Sequence, residues 1–433
     1  MERLTSPPSS SRPYSLPAFG GELWTIPTSN SVMRLLVTGK ETSNAFAVVS
    51  TGGTNDKPIG FHFHREAHDV FLCLKGTMNV WADDKARTLR EGDFASVPPN
   101  TVHQYQITSP HTEFAGLIIP GGWEEFFRFV GEPYSGPLFP TNDKRNPLYV
   151  ILLSSTLQPV EEKKKGGRKR GNILIPKLMA ATETFDMVPV RDKAHFEPQP
   201  WDPATDSKLP GTYARGGYFL QADTGSRFVV GGTSPLLFPQ SPRHLLLPLL
   251  PSLPPQQTRH HSIENRAQSP AANQHSPPTG TVVRPLATRR ETASRFSIHD
   301  LLSSSLHAAS PAASPPRLSF ATTHHAILVV SGSLEIELTL PPSAPAAAAS
   351  GSTTASTAAA GETVFVPAGT PFKIAAATRF ARAYVFANGG GLGEVLCRVG
   401  REYEAPGVPD ESVGWDEGGL KGLEGELGFV VAV

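Results

Sequence analysis

Cysteine is nearly missing from this chain. Only Cys73 and Cys397 occur in 433 residues, each inside an apolar stretch and in a different half, which argues against a disulfide framework and fits buried thiols. Net charge is missing too: 39 Lys and Arg balance 39 Asp and Glu, so composition gives no reason to expect a nucleic-acid or membrane partner. No apolar run approaches the length of a membrane span. Met1 to Asn30 is polar and proline-rich, without the apolar core a secretory signal needs. The expectation is a soluble cytoplasmic protein of two domains, with leaderless secretion left open by composition.

Proline and glycine are in excess, at 42 and 39 residues, which disfavours long helices and favours turn-punctuated strands with insertions. Gly20 to Ile26, Val32 to Thr38, Ala45 to Ser50, Thr77 to Ala82, Phe94 to Val97, His103 to Ile107 and Glu113 to Ile119 are short apolar or alternating runs. They read as strands, and their close spacing suits a barrel or sandwich. A turn is expected at Asp83 and Asp84. In GGWEEFFRFVGEPYSGP, starting at Gly121, apolar residues recur at helical intervals and Glu124 and Glu125 favour the first turn, so a short closing helix is expected. A second helix is expected at Ile175 to Phe185.

Two stretches carry the chemistry: Gly60 to Gly76, GFHFHREAHDVFLCLKG, and Gly92 to His103, GDFASVPPNTVH. His62 and His64 alternate on a short strand, so both imidazoles project from one face of a sheet. Asp69 opens the next apolar run and His103 follows a proline-rich turn, so three histidines and a carboxylate can converge from three strands. That donor set suits copper, iron, nickel or manganese. A reading in which these are ordinary strand and turn residues must account for two spaced patterns at once.

Three stretches break the pattern. Leu148 to Asn172 begins apolar and ends in the basic run Lys163 to Arg170, which reads as a solvated loop in preference to a polyanion-binding patch. Pro235 to Gly280 is loaded with Pro, Ser, Gln and His, and its His260, His261 and His275 lack a disciplined ligand spacing. Pro341 to Ala360 is almost all Ala, Ser, Thr and Pro and reads as a hairpin insertion. Around it the first motif pair is repeated in outline: HHAILVVSGSLEIEL, then GETVFVPAGTPF, with Phe372 where His103 stood and no acid where Asp69 stood.

The pattern Gly, His-x-His, four residues, acid, six residues, Gly, followed by Gly, five residues, Pro-x-Asn, two residues, His, resembles the paired motifs of the cupin family. Two departures are visible: Asp69 stands where the family normally has Glu, and Asn100 where it usually has Gly. The two copies together, with PGGWEEFFRFVGEPYSGP and YVFANGGG, resemble the bicupin dioxygenases and most closely the fungal quercetinases. This implies an all-β fold of two cupin (jelly-roll) barrels with short helices and disordered insertions. Residues 1–19 are then a disordered start, 20–145 a metal-bearing barrel, 146–212 a linker with a helix and the basic insertion, and 213–433 a degenerate barrel that has lost its metal, with insertions at 235–280 and 341–360. The interrupting stretches read either as true insertions or as translated intron sequence.

The resemblance further implies that His62, His64 and His103 ligate one divalent transition metal, copper or iron first and nickel or manganese next, with Asp69 in the carboxylate position. There Asp69 would be the base for a substrate hydroxyl, acting with or without also ligating. Glu66 and His68 lie close enough to compete, but a barrel corner is expected between the histidine pair and the next strand, and the spacing to Gly76 selects Asp69. Glu66 and His68 are expected to turn that corner or to orient the imidazoles. The implied reaction is ring-opening dioxygenation of a flavonol or similar small aromatic substrate with O2, by a chain for which a homodimer is an open arrangement. Another cupin oxygenase or isomerase, and a non-catalytic pirin-like regulatory bicupin, are the alternatives.

Overall fold

The computed structural model describes residues 1–27, 29–139, 180–182, 184–230, 280–305, 315–340, 352–405, 407–408, 415 and 417–432. The Leu148 to Asn172 stretch and nearly all of Pro235 to Gly280 lie outside these residues.

Alternating side chains and turn residues build a first barrel from two sheets. In one, Glu22–Thr25, Ser31–Val37, Ala47–Gly53, Thr112–Ile119, His68–Lys75 and Phe94–Val97 lie side by side; in the other, His62–Phe63, His103–Ile107, Met78–Ala82 and Lys85–Leu89 do. Phe71, Cys73 and Phe114 of the first sheet pack on Met78, Val80 and Ile107 of the second, which fixes the two sheets face to face. Most connections are tight turns. Asp83 takes the left-handed conformation (φ 52°) that the two-residue hairpin between Ala82 and Lys85 requires. Asn100 also has a positive φ, 65°, and the equivalent residue of the second barrel is Gly369 (φ 79°). Asn tolerates this region better than any other non-glycine type, which accounts for its presence after Pro98-Pro99.

The second barrel repeats the plan. Thr281–Ala287, Phe296–Ser303, Ala381–Asn388, His325–Ser331 and Thr363–Val366 form one sheet, and Arg317–Phe320, Phe372–Ala376, Ser333–Leu340, Ser352–Ala359 and Phe429–Ala432 the other. The repeat is legible at residue level. TGKETSNAFAVVS from Thr38 aligns with TRRETASRFSIHD from Thr288. In both copies a glutamate three residues after the threonine returns to bond that threonine's N–H and hydroxyl: Glu41 to Thr38, and Glu291 to Thr288. The closing helices Glu125–Val130 and Gly391–Val399 also correspond.

Two expectations are corrected. The N-terminal segment is not a disordered tail: Glu2–Arg3 and Tyr14–Leu16 are strands, and Tyr14–Leu16 pairs with Thr363–Val366 of the second barrel. Reciprocally, Tyr218–Leu220, expected within the second barrel, pairs with Phe94–Val97 of the first. Each arm carries a buried tyrosine whose hydroxyl donates across to the other copy, Tyr14 to the Leu36 carbonyl at 2.8 Å and Tyr218 to the Leu286 carbonyl at 2.9 Å. The arms are short because the interface supplies most of their burial, so they leave little local sequence signal. The hairpin expected at Pro341 to Ala360 has as its described part Ser352–Ala359, an edge strand paired along its length with Ser333–Leu340. Backbone pairing at an edge needs few apolar side chains, and these are mostly exposed.

The expected closing helix is present as Glu125–Val130. Of the Ile175 to Phe185 helix, residues 180–182 and 184 are helical and 175–179 lie outside the described residues. One core runs through both barrels, joining Tyr14, Leu36, Phe46 and Leu117 to Leu286, Phe296, Tyr384 and Phe386.

Candidate metal centre

His62 stands on a two-residue strand held on both sides, opposite His103 on one and Pro189 on the other. The chain then leaves the sheet at His64, turns through Arg65–Ala67 and re-enters the opposite sheet at His68. Asp69 is thereby carried across the barrel to face the histidines, paired in register with Val97 and Ile118. Strand parity sends His68 the other way. Its ring lies edge-on to Phe296 of the second barrel, 4.8 Å between centroids, and its Nε2 is 2.8 Å from the Ser96 hydroxyl.

His62, His64 and His103 are buried, and their ligand nitrogens lie within 4.8 Å of one another. Each Nδ1 meets a backbone carbonyl: Gly60 at 2.9 Å for His62, Thr101 at 2.9 Å for His103, and Asp186 for His64. A carbonyl only accepts, so each Nδ1 carries the proton and the neutral ring keeps its lone pair on Nε2. Among the described residues, the Nε2 atoms of His64 and His103 are buried without a hydrogen-bond partner, as is Asp69 Oδ1. Asp69 Oδ2 lies 3.3 Å from both of those Nε2 atoms.

Charge divides the site. Burial, and then the charges of His103 and His64, hold His62 well below the usual imidazole range. Burial also opposes charging of His64, but the Asp69 carboxylate outweighs it and raises His64. At Asp69 burial pushes the carboxyl up, yet the adjacent His64 and His103 rings outweigh this and hold it far below the carboxylate range. Neutral, pre-oriented imidazoles beside an ionised carboxylate, with lone pairs left unpaired in the interior, are a donor set that a divalent transition metal fits.

Above these groups is an apolar cavity. Ile26, Val49, Ile59, Phe71, Tyr105, Phe114, Ile118, Trp123, Phe126, Phe127 and Met187 line it, with His62, Asp69 and His103 among the polar groups. Of the large apolar residues close to the motifs in sequence, Phe71, Tyr105 and Phe114 line the cavity, whereas Phe61 stacks on Phe196 and Leu117 joins the core between the barrels. The turn before the closing helix adds Trp123, and the helix adds Phe126 and Phe127. Trp123 is edge-on to His64 at 5.0 Å, and its buried Nε1–H has no partner.

Glu66 is exposed and contributes only backbone to the site. Sequence reading missed Asp186, whose carboxylate accepts from the N–H groups of Arg65, Glu66 and Ala67 at 2.8, 2.6 and 3.2 Å. It lies in a turn just past the end of the helix expected at Ile175 to Phe185, a position that gave no hint of this.

Register identifies the corresponding positions in the second barrel. Val366 faces His325 as Val97 faces Asp69, and Leu318 pairs with Phe372 as His62 pairs with His103. The quartet His62, His64, Asp69, His103 is therefore replaced by Leu318, Phe320, His325 and Phe372. His325 is enclosed by the rings of Phe320 and Phe372, at 4.7 and 5.0 Å, and its Nε2 accepts the Leu392 N–H at 3.0 Å. Among the described residues, the second barrel gathers no cluster of metal-ligating side chains like that of the first.

Residues 50–115 match the Cupin domain family. Quercetin 2,3-dioxygenase of Bacillus subtilis (strain 168) is 37% identical over 140 residues, 32% of this chain and 41% of that protein. Quercetin 2,3-dioxygenase of Aspergillus japonicus is 32% identical over 131 residues, 29% of this chain and 37% of that one. The matches thus span less than half the length of either relative. Oxalate decarboxylase of Bacillus subtilis is a structural neighbour at 12% identity and a TM-score of 0.41, covering 89% of this chain and 80% of that one. Residues 50–115 thus carry the match to the Cupin domain family, and a second barrel of the same register stands behind them.

Proposed function

We propose that this protein is a metal-dependent, ring-opening dioxygenase of the quercetinase type, acting on a flavonol or similar hydroxylated aromatic with O2. The observation that carries this reading is the pairing of an aromatic-walled cavity with three buried histidines and one ionised carboxylate. Planar rings match such walls, and the few polar groups are placed to receive a hydroxyl.

His62, His64 and His103 would hold the metal through Nε2, with Asp69 beside it. A divalent redox metal there supplies Lewis acidity toward a substrate hydroxyl and one-electron chemistry toward dioxygen. The rest is the work of the chain. Asp69 offers Oδ1, buried and without a hydrogen-bond partner among the described residues, as acceptor for the hydroxyl proton. The Nδ1 bonds to Gly60, Thr101 and Asp186 keep the imidazoles from rotating. Trp123 Nε1–H is a free donor on the cavity wall for a second substrate oxygen. The cavity walls exclude water from the deprotonated, electron-rich ring, which takes up O2 and opens with loss of carbon monoxide.

The test is oxygen uptake by metal-loaded protein against a panel of flavonols, flavones lacking the 3-hydroxyl, and small diketones. Uptake confined to flavonols supports the proposal. Turnover of diketones alone would point to another cupin oxygenase, and metal-loaded protein inert to the whole panel would remove the catalytic reading.

A further inference from the structure

The loop that separates ligand His64 from Asp69 is held from outside its own barrel. Its backbone polar groups can be accounted for one by one. The N–H groups of Arg65, Glu66 and Ala67 all converge on the Asp186 carboxylate, at 2.8, 2.6 and 3.2 Å. The His64 carbonyl accepts the Asn100 N–H at 2.6 Å. The Glu66 carbonyl accepts Arg295 Nη1 at 3.1 Å, while Nη2 of the same guanidinium reaches the Ile119 carbonyl at 2.9 Å. Asp186 belongs to the segment between the barrels, and Arg295 to the second barrel, just ahead of its strand Phe296–Ser303.

From this geometry we infer that Asp186 and Arg295 are positioning residues for the metal centre, so that the second barrel, which gathers no comparable ligand cluster among its described residues, helps set the ligand geometry of the first. Asp186 acts twice: its carboxylate fixes the turn, and its carbonyl accepts from His64 Nδ1, fixing that ring's rotation and tautomer. Arg295 grips the same turn from the carbonyl side and ties it to the end of the strand Thr112–Ile119. A single carboxylate receiving three N–H groups cannot be replaced by water without loosening all three at once. His64 and Asp69 lie at opposite ends of this turn. A looser turn therefore changes the separation of two donor groups, and not merely local order. The partner this assigns to the second barrel is the first barrel's own metal loop.

The inference rests on the metal reading above, and the experiment separates the two. Wild type, Asp186→Asn, Asp186→Ala and Arg295→Met are prepared metal-free and titrated with Cu(II) against a chelator. Cu(II) EPR spectra are recorded, and amide hydrogen exchange of Arg65 to Ala67 is followed without metal. We expect Cu(II) affinity to fall by about 10- to 100-fold in the Asp186 variants, with less change for Arg295→Met, because residues that orient ligands typically carry that share. The EPR parameters should shift, and exchange protection at the three amides should be lost while the melting temperature of the metal-free protein stays near that of wild type. A merely structural role would lower the melting temperature and leave the spectrum of the folded, loaded fraction unchanged, which overturns the inference. So would wild-type affinity and spectrum in both Asp186→Asn and Arg295→Met. Wild type that fails to bind Cu(II) would sink the metal reading first and this inference with it.

Discussion

Replacing Asp69 by Asn removes the one negative charge among the candidate ligands while keeping shape. The side chain is mostly buried, 15% exposed, with Oδ2 at 3.3 Å from Nε2 of both His64 and His103, so an isosteric amide fits without repacking. Three histidines remain, and metal content should be retained. What is lost is the proton acceptor. General base catalysis is worth about 10²- to 10⁴-fold, roughly 3 to 5 kcal/mol of barrier, and kcat for flavonol turnover should fall by that factor. A second readout needs no turnover: in metal-free protein the Asp69 charge raises His64, so in Asp69→Asn the His64 ring should titrate at lower pH by NMR. Asp69→Glu lengthens the arm by about 1.5 Å, roughly one C–C bond, and should retain or raise activity. Glu66→Gln is the control, since that side chain is exposed and makes no contact with the ligands. Full flavonol turnover by Asp69→Asn, or an inactive Glu66→Gln, would refute this assignment of the base.

Phe372, 2% exposed and packed on Phe320 and His325, holds the place of His103 in the second barrel. Phe372→Ala should cost about 3 to 5 kcal/mol of stability, measured by denaturant melts, with no change in metal content. His299 is buried with both ring nitrogens unpartnered, and burial holds its pKa down to about 3; its counterpart in the first barrel is Val49. Because its folded pKa lies below the unfolded value, its contribution to stability is present above about pH 6.5 and is lost as pH falls toward 3. Between pH 7 and pH 5 this amounts to about 2 kcal/mol, so His299→Val should show that much less acid destabilisation than wild type. Equal pH dependence in the two proteins would show that His299 is not held neutral.

What the sequence disclosed was local. The His-x-His pair, the turn before His103 and the hairpin at Asp83 follow from a period of two and from turn residues, all within short range. Asp69 over His68 is a matter of strand parity, which a spacing to the next glycine captures. Asp186 could not be read this way: its role is to receive backbone N–H groups about 120 residues away, and any turn can present those whatever its side chains. Arg295 works through carbonyls for the same reason. The exchanged arms at Tyr14 and Tyr218 depend on an interface whose partner surface comes from the other copy, so neither arm has enough apolar residues of its own to stand out. Trp123, Phe126 and Phe127 were visible as one face of a helix, but which cavity that face closes is decided by how the helix docks.

The account stands most directly on how many metal ions the chain holds and where. Purified protein reconstituted with Cu(II), desalted and analysed by elemental mass spectrometry should contain one ion per chain, retained in Phe372→Ala and lost in each of His62→Ala, His64→Ala and His103→Ala. A second ion per chain, or metal at the wild-type level in all three histidine variants, would contradict it.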